Sequence, residues 1–389
     1  MLQTLLIFGR NADRRYLVAH DNLTFYTSHY YIKPLDDGQL PSSDIANHRL
    51  NVPDDANVSL YREHCLLRLR SDWGRFKKGS LIVGNTDRIL AANGAVNEKR
   101  RREGNYNFDY YEKKDDGHGL GDETLLELFT PLFTPTSSTS LEGFSTVKDY
   151  VFIDVLEDVK VRIDAATYSP TDERWIRKEN VFADDSEDVA SISLWAADAE
   201  YSNDVWVTKE TFVRPTVLFL ADGAKLFRGE ARGGMERLKA QPQFFDPAGI
   251  ATAQKFAASK DGTKVPYFMI GKDLEGARGP RRALLYGYGG FEISLTPHYE
   301  SIRGSQWMAD GNLYVIANIR GGGEYGPEWH QAALKEKRPR AYEDFEAVAD
   351  DLIRDMSVQR VCRTATKGWG ASRYDVSIRG GEGVIERQT

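Results

Sequence analysis

The hydrophobic pattern of this chain changes near Phe244-Phe-Asp-Pro247. Before this point, short apolar runs are separated by turn residues such as Asp36-Asp-Gly38 and Asp222-Gly223, which is typical of antiparallel strands. After it, buried strands alternate with helical segments, which favours a parallel-type sheet covered by helices. A chain of 389 residues is also too long for one typical core. We therefore predict three parts: a strand-rich domain at residues 1–243, the first part of an α/β domain at residues 244–355, and a divergent tail at residues 356–389.

The first domain contains many short apolar or alternating runs. The predicted strands are Arg15–His20, Leu23–Thr27, His64–Arg70, Ser80–Gly84, Tyr150–Val155, Val159–Ile163, Ser191–Trp195, Val205–Val207 and Thr216–Leu220. Many short strands without helices between them are typical of a sandwich, a barrel or a propeller. No short repeated motif selects one of these three.

The second domain begins with a clear hairpin at Lys260–Thr263, followed by alternating strands and helices. Two apolar runs predict strands buried on both faces, Ala283–Tyr286 and Asn312–Ala317. The predicted helices are Tyr299–Ala309, Pro327–Lys335 and Ala341–Asp355. In the last of these, an apolar stripe is formed by Phe345, Val348, Ala349, Leu352 and Ile353.

Charge argues against nucleic acid as the main partner. The net charge is −7 and the pI is about 5.7, whereas phosphate binding requires a basic face. The one basic run, Lys99–Arg102, lies between Glu98 and Glu103 and predicts a solvated loop.

Cysteine usage and the absence of long apolar runs indicate a cytoplasmic protein. Cys65 and Cys362 form neither a disulfide framework nor a metal-binding spacing, which favours a reducing compartment. The apolar run at the N-terminus is short and lacks a basic leader, so it is a poor secretory signal. No stretch approaches the length of a membrane span. We predict no membrane partner and no cofactor.

Two glycine-rich segments could carry chemistry. Tyr286-Gly-Tyr-Gly-Gly-Phe291 follows a predicted strand, where a tyrosine hydroxyl could donate to an oxyanion. From this segment alone, a turn with a core tyrosine is favoured. Gly321–Gly326 matches Gly-x-Gly-x-x-Gly, a dinucleotide-binding pattern. The acidic residues Glu343 and Asp344, however, lie at the start of a helix and not at the end of a second strand, so a structural loop is favoured there as well.

The histidines give weaker signals. His118 lies near Asp115, Asp116 and Asp122, but glycines surround this group and its spacing matches no known metal site. An exposed loop is therefore the favoured interpretation. His330 is expected to be packed or solvated, and His298 is expected to cap the following helix.

Several ordered segments together resemble the prolyl oligopeptidase family of serine peptidases. The matching segments are Ser259–Phe268, Leu284–Ser294, Ala317–Gly326, Trp329-His330 and Tyr342–Phe345. A weaker likeness runs through Arg70–Trp73, Lys78–Leu81, Phe133–Thr136 and Ser140–Gly143. The resemblance covers most of residues 15–355.

The resemblance implies a multidomain β and α/β fold, with a β-propeller joined to an α/β-hydrolase domain. It implies hydrolysis of short peptides, typically after proline, by a Ser-Asp-His triad. In that family the second tyrosine of the Tyr-Gly-Tyr motif supplies an oxyanion-hole hydroxyl, a role that falls on Tyr288. The phenylalanine of the same motif helps to line the substrate pocket, a role that falls on Phe291.

The chain departs from the family at the nucleophile. A Gly-Gly-Ser-Asn-Gly-Gly elbow is expected soon after the Tyr342–Asp355 helix, but the chain contains no Gly-x-Ser-x-Gly. Ser357, Ser372 and Ser377 stand in no elbow context, and the triad Asp and His would lie further on. The strand-rich part has room for about five blades of a propeller. We therefore expect an incomplete propeller and the N-terminal part of a hydrolase domain, with a tail from a shifted reading frame or a divergent terminus.

Three functions remain as alternatives. The first is a serine-type oligopeptidase by family, inactive in this polypeptide because no side chain is placed to attack the carbonyl. The second is a non-catalytic propeller module or pseudo-enzyme that binds peptides or a partner chain. The third is a nucleotide-binding enzyme that uses Gly321–Gly326. We also expect self-association, because a truncated sheet would leave Ala283–Tyr286 and Asn312–Ala317 with exposed edges.

Overall fold

A computed structural model describes residues 7–11, 14–35, 45–102, 123–185, 189–274, 281–356, 358–365, 378–379 and 382–383. The chain forms two compact units, Met1–Thr136 and Ser137–Thr389. Among the described residues, no helix is both long and apolar enough to cross a membrane.

The first unit contains two antiparallel sheets in which consecutive strands pair. The three-stranded sheet comprises β1 (Ile7–Asn11), β2 (Arg14–Asn22) and β3 (Ser28–Leu35). The four-stranded sheet comprises β4 (Asn57–Tyr61), β5 (His64–Arg68), β6 (Leu81–Asn85) and β7 (Phe129–Phe133). Its core includes Leu67, Trp73 and Phe129, and the rings of Trp73 and Phe129 meet edge to face with centroids 5.6 Å apart.

Two helices lie between β6 and β7, α1 (Thr86–Arg102) and α2 (Glu123–Leu126), so the prediction of strands without intervening helices is wrong here. The basic run Lys99–Arg102 is the last turn of α1 and not a loop, and its residues Lys99, Arg101 and Arg102 are exposed. The buried face of α1 includes Asn93 and Asn97, whose side-chain amides donate to the Arg49 carbonyl at 2.8 and 3.1 Å. Because hydrogen-bonded asparagines take places that apolar residues usually fill, the helix lacks a clear hydrophobic period.

One predicted strand of this unit does not form. Leu23–Thr27 is the turn between β2 and β3, closed by a hydrogen bond from the Leu23 amide to the Thr27 carbonyl at 2.9 Å. Leu23 and Phe25 are exposed, so their alternation reflects no buried face. The other eight predicted strands coincide with strands of the structure.

The second unit begins with two four-stranded antiparallel meanders. The first comprises β8 (Thr139–Thr146), β9 (Val151–Glu157), β10 (Lys160–Ser169) and β11 (Arg174–Lys178). The second comprises β12 (Ser191–Ala196), β13 (Asp204–Glu210), β14 (Val217–Asp222) and β15 (Met235–Ala240). They share a core that includes Phe152, Phe182, Val205 and Leu226.

Two short helices, α3 (Gly223–Arg228) and α4 (Ala231–Gly234), connect β14 and β15. The side chain of Asp222 caps α3 by accepting from the amides of Ala224 and Lys225 at 2.8 and 3.2 Å. Gly229 ends this helix with a φ of 81°, a left-handed conformation that favours glycine.

A mixed five-stranded sheet follows in the same unit. Its strands are β16 (Ile250–Ala258), β17 (Lys264–Lys272), β18 (Arg281–Gly287), β19 (Leu313–Ala317) and β20 (Val358–Ala365), in the order β16-β17-β19-β18-β20. The hairpin β16–β17 confirms the predicted turn at Lys260–Thr263. β18 runs parallel to both β19 and β20. Two more strands have two residues each, β21 (Ile378–Arg379) and β22 (Glu382–Gly383).

Both faces of the mixed sheet are buried, as predicted. Leu313 and Val315 of β19 join a core with helix α7 (Pro339–Met356), while Tyr314 and Ile316 pack on the opposite face with Met308. On α7, the predicted stripe faces the first of these cores, except that Ile353 is 37% exposed. The other helical segments beside this sheet are α5 (Ser301–Arg303), a π-helical turn at Gly304–Met308, α6 (Gly326–Gln331) and a 3-10 turn at Lys335–Lys337.

Strand β20 corrects the expectation that β18 and β19 lack partner strands. β18 is paired on both sides, by β19 and β20, and β19 lies between β17 and β18. The sequence signal for β20 is weak because Arg360 and Arg363 interrupt its apolar run.

The four antiparallel sheets described before Phe244 are one fewer than the five blades predicted. No closed barrel occurs among the described strands. The domain boundary placed at 243/244 stays a prediction.

Candidate functional site

The two glycine-rich segments leave the mixed sheet at the same edge. β18 and β19 are parallel, and Gly287 at the end of β18 lies opposite Ala317 at the end of β19. Loops that follow parallel strands emerge together, which is where open α/β sheets place their ligands. The Tyr288–Phe291 loop and the Asn318–Tyr325 loop are therefore neighbours.

Glycine allows these two loops to touch through their backbones. A Cβ on Gly289, whose φ is +57°, would lie 2.7 Å from the Arg320 carbonyl oxygen. A Cβ on Gly321, whose φ is +99°, would lie 2.3 Å from the Gly289 carbonyl oxygen. Both positions require glycine for conformation and for space.

The same crowding argues against nucleotide binding at Gly321–Gly326. A Cβ on Gly323 would lie 2.4 Å from the Glu292 carbonyl oxygen, and a Cβ on Gly322 would lie 2.1 Å from Glu324 Oε2. Protein atoms thus occupy the space that a pyrophosphate would need. Helix α6, which follows, has only six residues. The geometry supports the structural loop predicted for this segment.

A buried ion pair holds the second loop in place. Arg320 is 3% exposed, and its Nη2 donates to Asp344 Oδ1 on α7 at 2.6 Å. The Arg320 amide donates to Asp344 Oδ2 at 2.9 Å, and Nη1 donates to Asp261 Oδ2 in the β16–β17 turn at 2.6 Å. Hydrogen bonding from Arg320 holds the pKa of Asp261 well below its usual range. Loop, helix and hairpin are tied together at one cation.

Tyr288 is half-buried in the first loop. Within the part of the chain that the structure describes, its hydroxyl has no hydrogen-bond partner, so this donor is not used by the fold. The carbonyl of the next residue, Gly289, accepts from the guanidinium of Arg338, which stacks over the Tyr342 ring at 5.5 Å. The loop is therefore anchored while the phenol stays available.

Phe291 lies at the exposed end of this loop. It is 42% exposed and has a φ of +55°, and the next residue, Glu292, has a φ of +57°. Left-handed conformations are uncommon for residues other than glycine and concentrate at functional sites. An exposed aromatic ring on a strained turn is consistent with a binding role.

His330 is packed, as predicted. It is 2% exposed, and its Nδ1 lies 2.7 Å from the Gly321 carbonyl oxygen and 3.1 Å from the Glu292 amide. One nitrogen cannot donate to the carbonyl and accept from the amide at once. The shorter contact favours a protonated Nδ1 that donates to Gly321. His330 thus supports the loop and does not face the candidate site.

Glu324 is a residue of this site that the sequence analysis missed. It is 2% exposed, and burial raises its pKa to about 7. Its Oε1 accepts from the Leu295 amide at 3.1 Å and from Asn318 Nδ2 at 3.2 Å, and its carbonyl accepts from Ser140 Oγ at 2.8 Å. The available signal was a lone acid beside three glycines in the loop that follows a buried strand. Glu324 joins the Asn318–Tyr325 loop to the segment after Phe291 and to β8.

The remaining candidates lie away from this site or outside the described residues. His298 was predicted to cap the following helix, but it does not cap α5. Its Nδ1 instead contacts Glu210 Oε1 at 3.0 Å. His118 and its neighbouring aspartates lie outside the described residues, as do Ser357, Ser372 and Ser377.

β20 brings a third chain segment to the edge where Tyr288 lies. Ala365 at the end of β20 lies opposite Gly287, so the chain leaves β20 beside the Tyr288–Phe291 loop. The sequence that follows is Thr366-Lys-Gly-Trp-Gly370, which contains no serine.

Comparison with known proteins gives concordant matches. The family model described as "Prolyl oligopeptidase family" matches residues 299–371. An uncharacterized peptidase of Sinorhizobium fredii is 37% identical over 222 residues, covering 57% of this chain and 29% of that protein. A prolyl endopeptidase of Elizabethkingia miricola is 37% identical over 128 residues, covering 33% of this chain and 18% of that protein.

Among solved structures, a post-proline cleaving enzyme from Rickettsia typhi matches with a TM-score of 0.67 and 26% identity. The match covers 91% of this chain and 45% of that one. The chain thus spans less than half the length of each of these relatives. The family model, the relatives and the structural match agree with the paired glycine-rich loops, and together they support a member of the S9 prolyl oligopeptidase family.

Proposed function

We propose that this chain supplies the oxyanion-hole hydroxyl and part of the peptide-binding surface of a serine-type oligopeptidase that cleaves short peptides after proline. The observation that carries the proposal is the parallel register of β18 with β19 and β20, which brings the ends of three strands to the sheet edge where the Tyr288 loop begins. In this proposal the mixed sheet is the start of an α/β-hydrolase domain, and the four antiparallel sheets are blades of an incomplete propeller.

The two named residues would have different tasks. The Tyr288 phenol would donate to the oxygen that becomes negative when the peptide carbonyl is attacked. One such donor contributes about 10²–10³-fold to the rate of acyl transfer in other enzymes. The exposed ring of Phe291 would contact the apolar residue at the cleavage point, where burial of its surface favours binding.

We further propose that residues 1–389 bind peptides but do not hydrolyse them. An elbow serine would have to follow a strand that ends at the edge where Tyr288 lies, and the five residues that follow β20 in the sequence, Thr366–Gly370, include no serine. Removing the nucleophile of a serine peptidase lowers turnover by about 10⁶-fold. In this respect the polypeptide would behave as the non-catalytic binding module considered above.

The experiment compares two peptides that differ only at the C-terminus, acetyl-Ala-Ala-Pro with a free carboxylate and the same peptide as an amide. The carboxylate stands in for the oxyanion. A hydrogen bond to a charged oxygen contributes about 1.5–3 kcal/mol. We therefore expect Tyr288→Phe to weaken binding of the carboxylate about 10- to 100-fold and to leave the amide nearly unchanged.

Three controls complete the test. Phe291→Ala should weaken both peptides, whereas Ile302→Ala, which removes an exposed apolar side chain of the same unit, should weaken neither. A fluorophosphonate probe should not label the chain. Equal effects of Tyr288→Phe on the two peptides would refute the oxyanion role, and covalent labelling or peptide turnover would refute the inactive reading.

A further inference from the structure

A cleft of about 400 Å³ lies in the second unit, between the two meanders and the chain segment that follows Phe291. The residues that line this acidic cleft include Glu142, Asp154, Ser191, Glu210, Ser294 and His298. Its volume falls in the range of small-molecule sites. Three of these residues are carboxylic acids, and no lysine or arginine is among them.

Two of the three carboxylates have partners. Glu210 contacts His298 Nδ1 at 3.0 Å and accepts from the Tyr299 amide at 3.2 Å. Glu142 Oε2 accepts from Ser294 Oγ at 2.7 Å. These contacts hold the segment after Phe291 against both meanders.

Asp154 differs from them. It lies in the middle of β9, and its Oδ1 is buried with no hydrogen-bond partner among the described residues. The hydroxyl of Ser191, on the neighbouring wall of the cleft, is also buried without a partner. Burial and the nearby charge of Glu142 raise the pKa of Asp154 to about 7. A buried carboxylate oxygen without a hydrogen bond is costly for the fold, and carboxyl groups with strongly shifted pKa values concentrate at functional sites.

We propose that the acidic cleft binds the ammonium group of a short peptide, with Asp154 as its counter-ion. An ammonium group has three donors and no acceptor, and the cleft offers carboxylate oxygens and the Ser191 hydroxyl oxygen as acceptors. The ammonium group comes either from a peptide N-terminus or from a lysine side chain. A metal ion fits less well, because no group of three potential ligands in the described part of the chain is arranged to hold one.

This inference rests on the proposed function only for the identity of the ligand as a peptide. The cleft adjoins the candidate site through the chain itself, since Ser294–His298 begin three residues after Phe291. A bound ammonium group would therefore fix one end of a peptide and influence which of its bonds reaches Tyr288.

The test uses three proline-free peptides at pH 7 with the full 389-residue chain. They are Ala-Ala-Ala amide with a free N-terminus, acetyl-Ala-Ala-Ala amide with no cation, and acetyl-Ala-Lys-Ala amide with a side-chain ammonium. Isothermal titration should show at least tenfold tighter binding of one cationic peptide than of the acetylated neutral peptide. Whichever cationic peptide binds identifies the source of the ammonium group.

Variants then locate the binding. Asp154→Asn and, separately, Glu142→Gln should abolish or weaken the preference for the cationic peptide. Glu236→Gln, the same charge change at an exposed position of β15, should leave it intact. Asp154→Asn should also melt at the same or a higher temperature than the parent, because it removes an unpaired buried charge.

Equal affinity for cationic and neutral peptides would overturn the proposal, and so would a preference that survives both Asp154→Asn and Glu142→Gln. Stabilisation by Mg²⁺ or Ca²⁺ that Asp154→Asn removes would reassign the cleft to a metal and overturn it as well. Failure of the peptidase role would not alter these results, since the peptides contain no proline and binding needs no nucleophile.

Discussion

Replacing Asp344 with asparagine should destabilise the second unit more than Asp154→Asn, Glu324→Gln or Glu230→Gln. Asp344 is completely buried and accepts from the amide and guanidinium of Arg320 and from Ser259 Oγ at 2.6 Å. Asparagine removes the charge and turns one acceptor into a donor that faces the Arg320 guanidinium. The change therefore leaves a buried cation partly unpaired.

The magnitude follows from what Arg320 retains. Removing one partner of a buried ion pair costs about 3–5 kcal/mol. Arg320 keeps its contact with Asp261, whose side chain is 37% exposed, so a value near the lower limit, about 3 kcal/mol, is expected. For a unit of this size, 1 kcal/mol corresponds to about 2–4 °C, so Tm should fall by about 6–12 °C.

Urea denaturation monitored by circular dichroism measures this loss, with thermal melts as the second readout. The matched control is Glu230→Gln, which breaks a surface ion pair with Arg228 in which both side chains are about half exposed. Such surface pairs contribute little to stability, because water and salt screen both charges. If Asp344→Asn costs no more free energy of unfolding than Glu230→Gln, the argument that this ion pair anchors the loop is refuted.

Three further predictions concern pH, strain and strand pairing. Burial raises the pKa of Glu324 to about 7 in the folded protein, whereas the same carboxyl loses its proton near pH 4.5 in the unfolded chain. The free energy of unfolding should therefore fall as the pH rises from 5 to 8. In urea titrations, Glu324→Gln should show a smaller fall in the free energy of unfolding over this pH range. The remaining fall comes from Asp154, whose pKa is also raised to about 7. A pH dependence that Glu324→Gln leaves unchanged would contradict this prediction. Phe291→Gly should relieve the strain of the left-handed φ and raise the free energy of unfolding by about 1 kcal/mol. The same change should weaken peptide binding. A destabilised variant would count against strain at this turn. Truncation after Met356 removes β20 and exposes an edge of β18. Size-exclusion chromatography should therefore show more self-association of the truncated chain than of the full chain. Identical elution of the two would argue against the pairing of β18 with β20.

Much of the fold could be predicted from local patterns. Eight of the nine predicted strands in the first 243 residues form, because alternation along a strand directly reflects which face is buried. Helix α7 was recognised by its apolar stripe for the same reason. Helix α1 and strand β20 were not recognised from the sequence. On the buried face of α1, Asn93 and Asn97 stand where apolar residues are usual. In β20, Arg360 and Arg363 interrupt the apolar run.

The candidate site could likewise be predicted only in part from the sequence. The glycine-flanked loop with Tyr288 and Phe291 could be identified from the sequence, because glycine spacing and aromatic identity are local features. The anchoring of that loop by Arg338 could not be predicted, and neither could the ion pair of Arg320 with Asp344 that holds the neighbouring loop. Each of these contacts joins residues that are far apart in the chain and lie together only in the folded sheet.

The sequence by itself determined the family resemblance, the change from antiparallel strands to strand–helix alternation and the absence of a Gly-x-Ser-x-Gly motif, since all three depend on which residues are present and on their order. Only the tertiary structure decided that β20 pairs with β18, that Glu324 contacts the segment after Phe291, and that Asp154 Oδ1 has no hydrogen-bond partner among the described residues. Burial and strand pairing depend on segments distant in the chain, and these determine which charges are satisfied and which stay available for a ligand.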